Sequence, residues 1–291
     1  MPDDQMTMEW FVVGFFDLLG QQEELRSLTA LPDEKSPEEN EAFFQVVRGT
    51  VGRVMHFKKG FLEFFNTYNQ LDIFEDPAVA GINPGVDKAH YRGNDVKIQQ
   101  FSDCVIAYAS LCDEVYKSPT QGAYAIITAI ASNFLGQLAS GVPIRGGIDI
   151  GLGTEISESN FYGPGLARAY TLESKIAQYP RIVIGDELVQ YLDLRAAYEG
   201  NDPVGVYNKH IAIISKELIC VDDDGYAIID YLCPQMVEVL ENAGKRHIID
   251  RAYNFILEQS NIWKEKKDCK KAFRYTILRN YFEDRLAVTG E

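Results

Sequence analysis

From Ser118 to Ile144 the chain carries no charged side chain. A run that long has two uses, a membrane span or the centre of a packed interior. Thr128, Ser132, Asn133, Gln137 and three glycines interrupt it, which suits an interior and would be costly in lipid. The run therefore predicts a buried helix over Pro119 to Leu138, and the rest of the protein must be large enough to cover it on all sides. With 291 residues, 46% of them hydrophobic and 24% charged, there is enough chain for one enlarged α/β domain.

Around that helix the apolar pattern alternates between strands and helices. EWFVVGFFDLLG (Glu9 to Gly20) is a β-rich run with Asp17 near its end. Leu31 to Glu41 is acidic and proline-bearing, the composition of a surface loop. Phe43, Val46, Val47, Val51, Val54, Phe61, Phe64 and Phe65 recur at helical spacing, predicting one or two helices over Ala42 to Tyr68. Asp72 to Gly93, with two prolines and three glycines, reads as another loop. VKIQQFSDCVIAY (Val96 to Tyr108) predicts two strands joined by a tight turn at Ser102-Asp103. Val142 to Leu152 is a strand whose glycines mark close approach of another element. Gly163-Pro164 opens a helix to about Gln178, Pro180 to Gly185 is a short strand, and DDDG (Asp222 to Gly225) is the turn of a hairpin.

Charge narrows the partners. The net charge of −15 argues against general binding to nucleic acid or to an anionic membrane surface. Five scattered cysteines without a CxxC pair, and four histidines away from them, exclude a sequence-evident zinc site or disulfide framework and suit a reducing compartment. The N-terminus is acidic where a secretory signal is basic, so a cytoplasmic protein is expected. The charge is unevenly spread: residues 234–291 hold 11 basic and 9 acidic residues, leaving −17 in residues 1–233. In that C-terminal part, Ile248, Ile249, Ala252, Tyr253, Ile256 and then Phe273, Ile277, Leu278, Tyr281 and Phe282 trace two amphipathic helices. Such a pair either packs back on the domain or contacts another chain.

Two aspartates sit where chemistry is done. Asp17 falls at the end of an apolar strand and Asp103 on a turn between strands. Either alone is better read as a turn residue capping backbone amides. Together, on neighbouring strand ends, they make a site that could hold divalent cations under a polyphosphate.

The motifs FFDLLGQ (15–21), KIQQFSDCVIAY (97–108), VPIRGGIDIG (142–151) and NFYGPGLARAYTLES (160–174), in this order, resemble the class III nucleotide cyclase domain. The last motif is most similar to the bacterial pyrimidine cyclases of the Pycsar anti-phage systems. The resemblance implies a ferredoxin-like α/β (α+β) fold with a mixed, mainly antiparallel sheet over 9–232, a helical insertion at about 21–93 and a C-terminal helical extension over 234–289. It implies two Mn²⁺ or Mg²⁺ ions per active site, held by Asp17, Asp103 and the Leu18 carbonyl. The amides of Leu18 to Gln21, Leu19 and Gly20 among them, would cradle phosphate oxygens. The reaction implied is attack of the ribose 3′-hydroxyl on the α-phosphorus with loss of pyrophosphate. UTP would give 3′,5′-cyclic UMP, or CTP cyclic CMP, as a messenger for a separate effector protein. Sites in this family form between two chains, so a homodimer is implied.

The resemblance further implies base selection at Gln99 and Asn160, two amides that match neither purine pattern and could face a pyrimidine edge. The family's Asn and Arg on the following helix are here Ala167 and Thr171. Arg145 and Arg168, or Lys216, are the cations available to replace them. This absence also opens a second reading, a catalytically silent nucleotide-binding module. A polymerase-like palm fits the acidic charge poorly. The insertion is open to two readings, a dimer-related or regulatory elaboration and padding over one sheet face.

Overall fold

EWFVVGFFDL is apolar on both of its faces, and it becomes an interior strand. In a computed structural model describing residues 7–33, 36–70, 93–112, 118–157 and 160–289, β1 (Glu9–Leu18) lies between β3 (Cys104–Ser110) and β4 (Ile144–Ser157), antiparallel to both. Side chains alternate along it. Val12, Phe16 and Leu18 enter the main core, whereas Phe11 and Val13 pack on the opposite face with Ile106, Tyr108, Phe161 and Ala169.

β2 (Lys97–Phe101) extends the sheet beyond β3. On the far side come β6 (Ile182–Ile184), β8 (Ala227–Ile229) and β7 (Ile219–Val221), giving the order β2-β3-β1-β4-β6-β8-β7, with β5 (Asn160–Tyr162) paired to β4. The β4–β6 pair is parallel and the other pairs are antiparallel. Over the described residues the protein is thus mixed α/β with an eight-stranded, mainly antiparallel sheet.

The uncharged helix is α3 (Pro119–Ala139). It is the one helix among the described residues long and apolar enough to cross a membrane, and 83% of its apolar window is buried inside the fold. It packs against α2 (Pro37–Asn69), α6 (Pro203–Glu217) and α8 (His247–Glu265). On α2, Val54, Phe57, Phe61 and Phe65 follow helical spacing and are buried, with Phe57 and Phe61 set against Phe16 of β1.

Some boundaries differ from expectation. The acidic loop ends early, because Ser36 caps α2 by accepting from the Glu39 amide and Pro37 takes the first helical position, so helix replaces loop over Pro37 to Glu41. The loop expected over Asp72 to Gly93 lies, apart from Gly93, outside the described residues. The helix after Gly163 is α4 (Pro164–Thr171), continued by a π-helical turn over Leu172–Ile176. Two helices that no expectation covered, α5 (Asp186–Ala196) and α6, fill the connection from β6 to β7. A short α1 (Gln21–Arg26) follows β1.

The C-terminal helices pack back on the domain. Besides α8 there are α7 (Pro234–Asn242) and α9 (Cys269–Thr289). Ile249, Ala252, Ile256, Leu278 and Phe282 belong to the same buried core as β1 and α3. The Tyr281 hydroxyl donates to Asp230 Oδ1 at 2.7 Å, and Arg285 pairs with Asp230 at 2.8 Å, fixing α9 to the end of β8.

Candidate functional site

The turn between β2 and β3 is a two-residue hairpin: Phe101 pairs Cys104, and Ser102 between them takes a left-handed φ of 55°. This tight reversal puts Asp103 beside the end of β1, where Asp17 pairs Cys104 and the Leu18 amide donates to the Asp103 carbonyl at 3.3 Å. Both residues are buried, at 8% exposure each. Ligand atoms of Asp17, Asp103 and Cys104 all lie within 4.8 Å of one another. The structure therefore brings the two predicted aspartates together.

On the other side of Asp17 its register partner is Arg145 of β4. Arg145 Nε donates to Asp17 Oδ2 at 3.1 Å, and a terminal guanidinium nitrogen stands 3.0 Å from the same oxygen. Arg145 Nε is also 2.6 Å from Glu173 Oε1. Its single hydrogen is directed at Asp17, so Glu173 Oε1, buried, receives no aligned hydrogen bond. Glu173 comes from the π-helical turn and is brought over the sheet because β4 carries glycine beneath it. A Cβ at Gly147 would stand 2.4 Å from Leu172 Cβ and 2.6 Å from the Ala169 carbonyl.

Three carboxylates and one guanidinium thus share a buried corner, and the charges do not balance. Burial raises Asp17 above the usual carboxylate range; Arg145 opposes this and Asp103 adds to it. Burial likewise pushes Glu173 up to about 7, against the pull of Arg145. Burial first, and then Asp17 and Asp103, raise the Cys104 thiol, so it stays protonated and donates weakly to Asp17 Oδ1 at 3.6 Å. A donor set of carboxylate oxygens with a protonated thiol suits a hard cation of the Mg²⁺ or Mn²⁺ type and suits zinc poorly. On this chemistry the corner fits a divalent ion.

The corner opens on a cavity of about 490 Å³, lined by Asp17, Leu18, Leu19, Gly20, Asp103 and Arg145 and by residues of α8 and α9. Gly20 has a φ of 90°, and a Cβ there would meet nothing within 4 Å, so glycine serves the turn and leaves the space open. The predicted amide cradle is smaller than expected. Leu18 donates to the Asp103 carbonyl and Leu19 to the Pro143 carbonyl at 2.9 Å, which leaves Gly20 and Gln21.

The other predicted residues lie elsewhere. Gln99 Oε1 accepts from the Phe161 amide at 3.3 Å, so the structure brings Gln99 to the residue next to exposed Asn160, and neither lines the aspartate cavity. Arg168 pairs with Glu187 at 2.7 Å and reaches Asp149 at 3.8 Å. With Ala167 and Thr171 it borders a second cavity of about 460 Å³. Within one chain, then, Arg168 does not join Asp17 and Asp103. Lys216 is taken up in an exposed pair with Asp193 at 2.6 Å. The site residues with no part in the expectations include Cys104, which directly follows Asp103; Glu173, whose buried charge a helical pattern does not reveal; and Arg274 of α9, for which the excess of cations in 234–291 was the available signal.

No protein-family model, no curated protein and no solved structure matches the chain.

Proposed function

We propose that this protein is a homodimeric pyrimidine nucleotide cyclase with a class III, ferredoxin-like catalytic domain, converting UTP to 3′,5′-cyclic UMP and pyrophosphate. Cytidylate cyclisation of CTP is the alternative substrate choice, and the product would be a messenger for a separate anti-phage effector. One observation carries the reading: Asp17 and Asp103, 86 positions apart in sequence, meet at a strand end on the wall of an open cavity.

In this reading Asp17 and Asp103 hold the cations. A bound pair of divalent ions supplies neutralisation of polyphosphate charge and a more acidic ribose hydroxyl. Arg145 fixes the orientation of the Asp17 carboxylate. Gln99 and Asn160 present amide groups to the base, and their separation from the aspartate cavity is what a site completed by a second chain requires. The 3′-oxygen bonds the α-phosphorus as the α–β bridging bond breaks, and in balance the hydroxyl proton ends on pyrophosphate. Positioning and charge neutralisation account for the acceleration.

The test is incubation of the purified protein with Mn²⁺ and each of the four ribonucleoside triphosphates, with products separated by chromatography. Cyclic UMP from UTP is expected, with loss of at least about a hundredfold in Asp17→Ala. No cyclic product from any nucleotide, with Asp17→Ala indistinguishable, overturns the proposal. Ala167 and Thr171 favour a second reading, nucleotide binding without turnover. Tight binding with no product would support it.

A further inference from the structure

Part of the aspartate cavity is lined by side chains that no expectation assigned. α8 and α9 contribute Trp263, Lys271 and Arg274. Lys271 and Arg274 are three residues apart on α9 and share a face. Lys271 Nζ rests 3.9 Å from the centre of the Trp263 ring and 4.0 Å from Asp268, so its ammonium is held in position by an aromatic face.

Arg274 is half-buried and makes neither a hydrogen bond nor an ion pair among the described residues. Burial and the charge of Arg145 lower it from the usual arginine value, with Asp268 opposing. A guanidinium is thus held partly out of water near a second guanidinium, in a chain of net charge −15 that has acidic partners to spare. Desolvating an unpaired cation costs free energy unless an anion enters beside it. The aspartate pair at another point of the same wall repels a bare anion and welcomes one that carries metal ions. An anionic ligand bearing cations, with several oxygens in reach of a planar donor fork, is a metal-chelated polyphosphate.

We propose that α9 supplies the phosphate-binding cations of this site: Arg274 donates its N–H groups to non-bridging oxygens of a nucleoside triphosphate, with Lys271 beside it. The nucleoside part of this assignment rests on the cyclase reading; the polyphosphate part rests on the cavity. It also gives the site the cation that Ala167 and Thr171 do not provide.

The experiment is titration calorimetry of the full chain with inorganic tripolyphosphate, with and without Mn²⁺. Wild-type protein is expected to bind, and more tightly with Mn²⁺. Arg274→Gln is expected to weaken binding about tenfold or more, the loss of a charge-assisted hydrogen bond. Arg246→Gln, which removes an exposed pair with Glu241 outside the cavity lining, should leave affinity unchanged. If Arg274→Gln folds poorly, Arg274→Met, which keeps the aliphatic stem, carries the same expectation. Absence of wild-type binding, or wild-type affinity in a folded Arg274 variant, overturns the inference. Failure of the cyclase reading has a different signature: no cyclic product from any nucleotide, while tripolyphosphate binding still depends on Arg274.

Discussion

Glu173 shows how one side chain can set the pH response of the fold. Its carboxyl is buried, sits next to Arg145 without an aligned hydrogen bond, and is pushed up to about 7 from an ordinary 4.5. The folded state therefore holds this proton more tightly than the unfolded chain does. Stability falls as pH rises from about 4.5 towards about 7 and is level above that, at a cost of about 3 kcal/mol for a shift of this size. Glu173→Gln is expected to flatten that slope and to raise the urea midpoint at pH 8 above wild type. Parallel pH profiles of the two proteins would contradict the assignment. The two aspartates were legible because strand ends and turns leave a mark on local sequence. Glu173 was not, since its burial depends on the glycines of β4, some 26 residues earlier, accepting a helix directly on their backbone.

At the level of elements, β1, the β2–β3 hairpin, α3 and the β7–β8 hairpin were readable because each has one strong local signal, either unbroken apolar character or a turn of fixed chemistry. α5 lacked such a signal, with only Leu188 and Leu192 buried on it, whereas Tyr207, Ile211 and Ala212 of α6 do recur at helical spacing and were passed over. The start of α6 did carry a readable sign, Asp202 accepting from the Gly205 amide ahead of Pro203. How the C-terminal helices are used was not legible either, for amphipathic pattern says that a face is covered and not by what. Phe282 answers this for α9. Its ring is fully buried between Tyr231, at 5.9 Å, and Tyr253, at 6.0 Å. Phe282→Ala should cost about 3–5 kcal/mol and shift one cooperative transition of the whole chain. An extension that packs independently would instead lose only its own helical signal, leaving the sheet transition unmoved in near-ultraviolet dichroism.

For the whole molecule, the aspartate cavity and the Gln99–Phe161 contact are separate places on one chain, and the proposed chemistry needs both at one nucleotide. Two inactive variants should then rescue each other. Asp103→Ala mixed one-to-one with Asn160→Ala gives, in half of the dimers, one intact site of two, so about a quarter of wild-type activity is expected where each variant alone is near zero. Activity that stays at zero after mixing, in dimers shown to exchange, places the whole site within a single chain. The covering of α3 has a further consequence. One of its flanks is closed by α8, which begins at His247, more than a hundred residues after α3 ends. During synthesis that flank emerges from the ribosome long before its cover does. The nascent chain is then expected to spend that interval with one side of an uncharged helix uncovered, and co-expressed chaperones should raise its soluble yield.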